Sequence, residues 1–362
     1  MKMLLLGDFS PTKYNEPLFA SRRTDILFED TLSLFEEKDV KFINLEVAMT
    51  ESEGAIEKFG PALKCSPEVA GIIRDIGVNY CGLSNNHIFD FGKKGIEDTF
   101  AALEACGIGY TGFGKSYEDS RKDLIIDNGK ERGCIIAVCE HEYSYALENR
   151  MGSRPYDEYD TPADVRRAKA ENDRVIVIYH GGKEYCRYPS PRLYKLCHAL
   201  ADSGADAVIC QHSHCIGCYE EYNGCHILYG QGNFHFEYED EKSEGWGSCL
   251  AVDYDTESGE MAFTPIVSNQ KGGIRLADKK ESAEILRSLE KRSKELHNGE
   301  WKNGWNRFCH SVSEKYNKAV AEAGSESSTY RQNHKFAHYI DCEAHLDVLR
   351  ELYQTANKTN EL

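Results

Sequence analysis

Short apolar runs alternate with amphipathic stretches through the first two-thirds of the chain. Residues 3–6, 40–45, 78–83, 134–139, 175–179 and 207–210 are apolar and rich in β-branched side chains, so they read as buried strands. Between them, 25–37, 67–75, 95–106 and 191–203 place their apolar residues as on one face of a helix. This alternation predicts βαβ units and parallel strands. Beyond residue 210 the pattern changes. Segments 219–222 and 225–229 flank Asn223-Gly224, a strong two-residue hairpin signal. Segments 249–254 and 261–266 add a second strand pair, so the sheets are expected to be mixed. From about residue 278 the chain becomes charged and helical, with a break near 323–328. The division predicted is an α/β domain over 1–275 and a helical C-terminal extension over 276–362, packed on it.

Composition narrows the class. Of 362 residues, 41% are hydrophobic and 11% aromatic, enough to bury a large core. The formal charge of −17 argues against nucleic acid as a partner, because phosphate affinity needs clustered Lys and Arg. An anionic substrate would need a local positive site. The N-terminal apolar run, 3–6, is too short for a signal peptide or membrane anchor, so a soluble, cytoplasmic protein is expected. The 14 cysteines are then expected to be free thiols, Cys215 and Cys218 forming an isolated Cys-x-x-Cys.

The candidate chemistry lies where polar residues follow strands. The first strand ends in Gly7-Asp8, the second in Asn44-Leu45-Glu46, and the third in Ser84-Asn85-Asn86-His87, followed by Asp90. The strand at 175–179 ends in His180, and the one at 207–210 leads to His212-Ser213-His214. Loops at the carboxyl ends of parallel strands converge on one crevice. Asp8, Glu46, Asn86, His180, His212 and His214 supply oxygen and imidazole ligands without thiolate, which suits two divalent ions of Mn, Fe or Zn. If residues 212–214 are extended, the two histidines point to the same side.

These segments, "LLLGDFS", "FINLEVAMT", "GLSNNHIFDFGKKGIEDTFAALEACGIGYTGFG", "VIVIYHGGKEYCRYPSP" and "GADAVICQHSHCIGCYEEYNGCHILYGQGNF", resemble the bacterial capsule-synthesis family of the CapA, or poly-γ-glutamate biosynthesis, type. That family belongs to the calcineurin-like metallophosphoesterases. The resemblance implies a metallophosphatase-like four-layer sandwich, two mixed β-sheets flanked by helices, around a dinuclear centre. It implies that Asp8 and His214 serve one ion, that Asn86, His180 and His212 serve the other, and that Glu46 bridges both. His87 would be a general acid or oxyanion stabiliser, oriented by Asp90. Two departures stand out: Ser10 occupies a position where the superfamily usually has histidine, and Glu46 one where it often has aspartate.

Lys64, ahead of a helix start expected at Ser66-Pro67, Glu184 on the loop after His180, and Asn233 in "GQGNF" are candidate substrate contacts. The function expected is metal-dependent hydrolysis of a phosphoester in a small anionic or peptide-like substrate. The alternatives are amide hydrolysis on γ-glutamyl or peptide substrates, or a non-catalytic partner in polymer synthesis. The sequence carries no indication of oligomeric state. The tail holds His310, His334, His338 and His345, whose roles have no local signature.

Overall fold

The computed structural model describes residues 1–239, 243 and 245–358. Fourteen strands form two large sheets. In chain order they are β1 (Lys2–Phe9), β2 (Val40–Leu45), β3 (Tyr80–Gly82), β4 (Gly109–Thr111), β5 (Leu124–Asp127), β6 (Arg132–Cys139), β7 (Arg174–His180), β8 (Ala207–Gln211), β9 (Tyr219–Tyr222), β10 (Cys225–Leu228), β11 (Asn233–His235), β12 (Ser248–Asp255), β13 (Met261–Ser268) and β14 (Ile274–Leu276). The eight-stranded sheet runs β14-β13-β12-β1-β2-β3-β4, with β11 also paired to β1; the six-stranded sheet runs β9-β10-β8-β7-β6-β5. Both are mixed: β1-β2-β3-β4 and β6-β7-β8-β10 are parallel, whereas β12, β13 and β14 add antiparallel pairs.

Alternation along each strand explains why whole strands are apolar. Met3, Leu5, Val40 and Phe42 from one sheet meet Ile135, Ile176, Ile178 and Ile209 from the other in a shared inter-sheet core. The intervening residues face outward to helices. Leu4, Leu6, Ile43 and Cys81 pack with α1 (Val69–Asp75) and α2 (Gly92–Ala105). Ile136, Val138, Val175 and Val177 pack with α3 (Asp160–Glu171) and α4 (Pro191–Asp202). The central strands are therefore covered on both faces, giving the four layers expected of the fold, while edge strands such as Leu124–Asp127 keep exposed positions.

Local chemistry fits most elements. Ser190 caps α4 by accepting from the Leu193 N–H, with Pro191 at its first position. Asn223 and Gly224 take φ of 50° and 79°, the two positive angles of the tight turn joining β9 to β10. Segment 25–37 is not one helix: it splits into a short helix, Thr24–Leu27, and a 3-10 turn, Glu29–Phe35. Glu29 breaks the continuity with φ of 36°. The third strand is also shorter than expected.

Five further helices follow β14: α5 (Lys279–Asn298), α6 (Trp301–Ser311), α7 (Ser313–Ala323), α8 (Tyr330–Asp341) and α9 (Glu343–Lys358). The boundary expected at 275/276 falls inside β14, and the helices begin at Lys279 after a capping box between Asp278 and Glu281. Buried Arg292 of α5 donates to the carbonyls of Ile216 (3.0 Å) and Gly217 (2.9 Å), just beyond His214. Trp305, Cys309, Tyr316, Tyr339 and Val348 form a core with Cys186, on the loop after β7. All 14 cysteines are free thiols, 13 of them buried. Among the described residues no helix is long and apolar enough to cross a membrane.

Candidate metal centre

The carboxyl ends of β1, β2 and β3 in one sheet and of β7 and β8 in the other open onto the same buried point. Gly7 lets β1 approach closely there: a Cβ at this position would lie 2.1 Å from the Gly232 carbonyl oxygen. Asp8 follows, in register with Asn44 of β2 and Asn233 of β11. Asn44 donates to Asp8 Oδ1 at 2.7 Å, and the His212 N–H donates to Asp8 Oδ2 at 3.0 Å. Asn85 is structural: its amide donates to Asn44 and to the Leu45 carbonyl, while its oxygen accepts from the His87 and Ile88 N–H groups.

The six expected ligands converge. His180 Nε2 lies 3.0 Å from Asn86 Oδ1, 3.1 Å from His212 Nδ1 and 3.3 Å from Glu46 Oε1. His214 Nδ1 lies 3.7 Å from Asp8 Oδ2 and donates to Asn233 Oδ1 at 2.9 Å. Potential ligand atoms form two compact groups, Asp8-Glu46-His180 and Glu46-His212-His214, each within 4.8 Å, so Glu46 belongs to both. Two ligands about 2.1 Å from a common ion at a tetrahedral angle lie about 3.4 Å apart, so the residues are close enough to share an ion, although the 3.0 and 3.1 Å contacts are also hydrogen-bond distances.

The donor set fits a divalent cation. Both carboxylate oxygens of Glu46 are buried without a hydrogen-bond partner among the described residues. A buried carboxylate left so is costly unless a cation balances it. The neighbouring imidazole reports the same field: burial disfavours its charged form, yet Glu46 and Asp8 push His180 up to about 10. Burial likewise pushes the Asp8 carboxyl up, but His180, His214 and Asn44 outweigh it and hold it below its usual range.

The geometry at His212 and His214 differs from the extended segment expected. β8 ends at Gln211, and both histidines have positive φ, 77° and 55°. They converge through a tight left-handed path rather than through strand alternation. Non-glycine residues are held there only by surrounding structure, as happens at functional sites.

His87 and Asp90 are in contact, with His87 Nδ1 2.7 Å from Asp90 Oδ2. A third partner carried no signal in the sequence. Lys58 Nζ lies almost fully buried, 2.6 Å from Asp90 Oδ1 and 3.1 Å from the Asn86 carbonyl. The cation expected at Lys64 sits elsewhere, donating to Glu53 (2.6 Å) and to the Ser52 carbonyl (2.9 Å). The helix beyond it starts at Val69, not at Pro67, and is only seven residues long. Glu184 is paired with Lys183 at 2.7 Å, and that charge holds its carboxyl well below the usual range, which leaves it a poor base. Sequence reasoning also missed Glu142, whose Oε2 lies 3.5 Å from His212 Nε2.

A sequence profile described as bacterial capsule synthesis protein PGA_cap matches residues 2–238, from β1 to just beyond β11. The chain belongs to this family. It is 27% identical over 247 residues to the PGA biosynthesis protein CapA of Bacillus subtilis, covering 67% of this chain and 63% of that protein. It is 30% identical over 214 residues to a Mycobacterium tuberculosis protein described as a polyglutamine synthesis accessory protein, covering 56% of each. The chain thus spans about three-fifths of the length of these curated relatives. A crystal structure of a 5'-nucleotidase precursor from Thermus thermophilus aligns with 82% of this chain and 59% of its own, at 12% identity and a TM-score of 0.41.

Proposed function

We propose that this PGA_cap chain is a metal-dependent phosphoester hydrolase that holds two divalent ions of Mn, Fe or Zn with Asp8, Glu46, Asn86, His180, His212 and His214. The supporting observation is Glu46, buried, without a hydrogen-bond partner at either oxygen among the described residues, 3.3 Å from His180 Nε2 and common to both ligand groups. When bound, the ions would supply Lewis acidity and activate water. On the Asp8 side Ser10 is buried with an unpartnered hydroxyl, and Asn233 offers the nearby neutral oxygen that orients His214.

The protein's own part is orientation and proton handling. Asp90 accepts from His87 Nδ1, leaving Nε2 for substrate. Burial, reinforced by Lys58, keeps His87 below its ordinary range, so the neutral ring presents an acceptor at Nε2. Donation to a leaving group requires the doubly protonated ring, which Asp90 stabilises. Lys58 supplies local positive charge for an anionic group in a chain whose net charge is −17. The names of the relatives favour a peptide-like or small anionic substrate from capsule or poly-γ-glutamate synthesis. The word accessory in one of them supports a second reading, a non-catalytic partner in polymer synthesis.

The test uses untagged, chelator-free protein assayed on bis(p-nitrophenyl) phosphate and on γ-glutamyl p-nitroanilide, with and without added Mn²⁺ or Zn²⁺. Metal-dependent phosphoester turnover is expected, falling roughly 100-fold or more in Glu46→Gln, beyond the 10–100-fold typical of groups behind metal ligands. Turnover of the amide alone would replace phosphoester with amide chemistry; turnover of neither would favour the accessory reading.

A further inference from the structure

Outside the centre, three more ligand-type side chains meet where the helical segment docks. Glu142 comes from the loop after β6, His338 from α8 and His345 from α9, and their potential ligand atoms all lie within 4.8 Å of one another. Both histidines are buried, 7% and 6% exposed. We infer that Glu142, His338 and His345 form a third divalent-cation site, of the zinc class, which ties the C-terminal helices to the wall of the dinuclear centre.

The spacing supports coordination over hydrogen bonding. Glu142 Oε1 lies 3.5 Å from His338 Nε2, long for a hydrogen bond and close to the separation of about 3.4 Å between two ligands of one tetrahedral ion. The rings are also held in place. His345 Nδ1 lies 2.7 Å from the Tyr316 hydroxyl, which leaves Nε2 to face an ion, and this ring stacks on Tyr339 at 4.5 Å and 11°. His338 stacks on Tyr143 at 4.7 Å and 21°. Two imidazoles and one carboxylate form a familiar zinc donor set.

Glu142 connects the two places. Its other oxygen faces His212 Nε2, the ring atom opposite the Nδ1 that approaches His180. At 3.5 Å it stands next to a candidate ligand of the main centre. Lys183, the nearby cation, is paired with Glu184. The inference rests on these residues' own geometry and does not require the main centre to be catalytic.

The deciding experiment is zinc-edge anomalous diffraction from crystals of the full chain grown with Zn²⁺, together with zinc per chain by elemental analysis. The expected result is an anomalous peak between Glu142, His338 and His345 in addition to those at Glu46, and about three equivalents per chain. His338→Gln and His345→Gln should each lose one equivalent while keeping the peaks at Glu46. Peaks at Glu46 with none at Glu142, or unchanged stoichiometry in both variants, would overturn the inference and leave the proposed function standing. Peaks at Glu142 alone would do the reverse. Because the map is read on wild type, a variant that fails to fold does not blunt the test.

Discussion

The main centre and the tail cluster share a neighbour in Glu142, yet their residues arrive by different routes. Asp8 and His180 lie at the carboxyl ends of strands, placed by sheet register, and Glu46, Asn86 and His212 come within four residues after strand ends. His338 and His345 lie on helices that reach the same neighbourhood only because an apolar face, centred on Trp305, Tyr316 and Tyr339, packs on the loop carrying Cys186. A strand-end site is thus a property of the sheet, whereas the tail cluster is a property of docking. The first should survive loosening of the tail, and the second should not.

The sharpest way to separate them is to undock the helices. Trp305 is 1% exposed, and Trp305→Ala should cost about 3–5 kcal/mol, read as a loss of unfolding free energy. Loss of the whole fold's cooperativity in that variant would break the distinction between sheet and tail. Smaller by a little is the acid sensitivity of the sheet body. His235 is fully buried against Phe9, Phe19 and Phe28, and burial pushes it down to about 4. The unfolded chain takes up a proton near its ordinary value of about 6.5 and the folded chain does not, so stability is full above pH 6.5 and falls as the pH drops toward 4. By pH 5 this amounts to about 2 kcal/mol, and urea midpoints for His235→Leu should lose that dependence.

Asp90→Asn tests the proton-handling side of the main centre. A 10–100-fold fall in phosphoester kcat is expected, with metal content unchanged; a parallel loss of metal would show that Asp90 serves the ligand shell instead. The weakest effect is expected at Lys64. Its pair with Glu53 is largely exposed, so Lys64→Ala should change stability by less than about 0.5 kcal/mol. Its turnover should stay within twofold of wild type, whereas Lys58→Ala should raise KM for an anionic substrate. Equal effects of the two lysines would remove the reason for preferring Lys58.

Much of the centre is legible in the amino-acid sequence, because the signals are local. A buried strand is a short apolar run, and a polar residue just after it stands at the sheet edge. The path of residues 212–214 is not legible there, since positive φ at two histidines is imposed by neighbours such as Asp8, which takes the His212 N–H. Lys58 and Lys64 look alike in sequence; only the fold shows that Asp90 captures the first and Glu53 the second.

By itself, then, the sequence determined the layers, the family and which polar residues stand at the strand ends, because periodicity and strand termini are written within a few residues of one another. Tertiary structure alone decided which strands share a sheet, which lysine enters the site and where the last helices lie. Those outcomes depend on burial summed over residues far apart in the chain: Glu142 and His338 stand almost two hundred positions apart and meet only after Trp305, Arg292 and their partners are packed. No short stretch of chain carries that information.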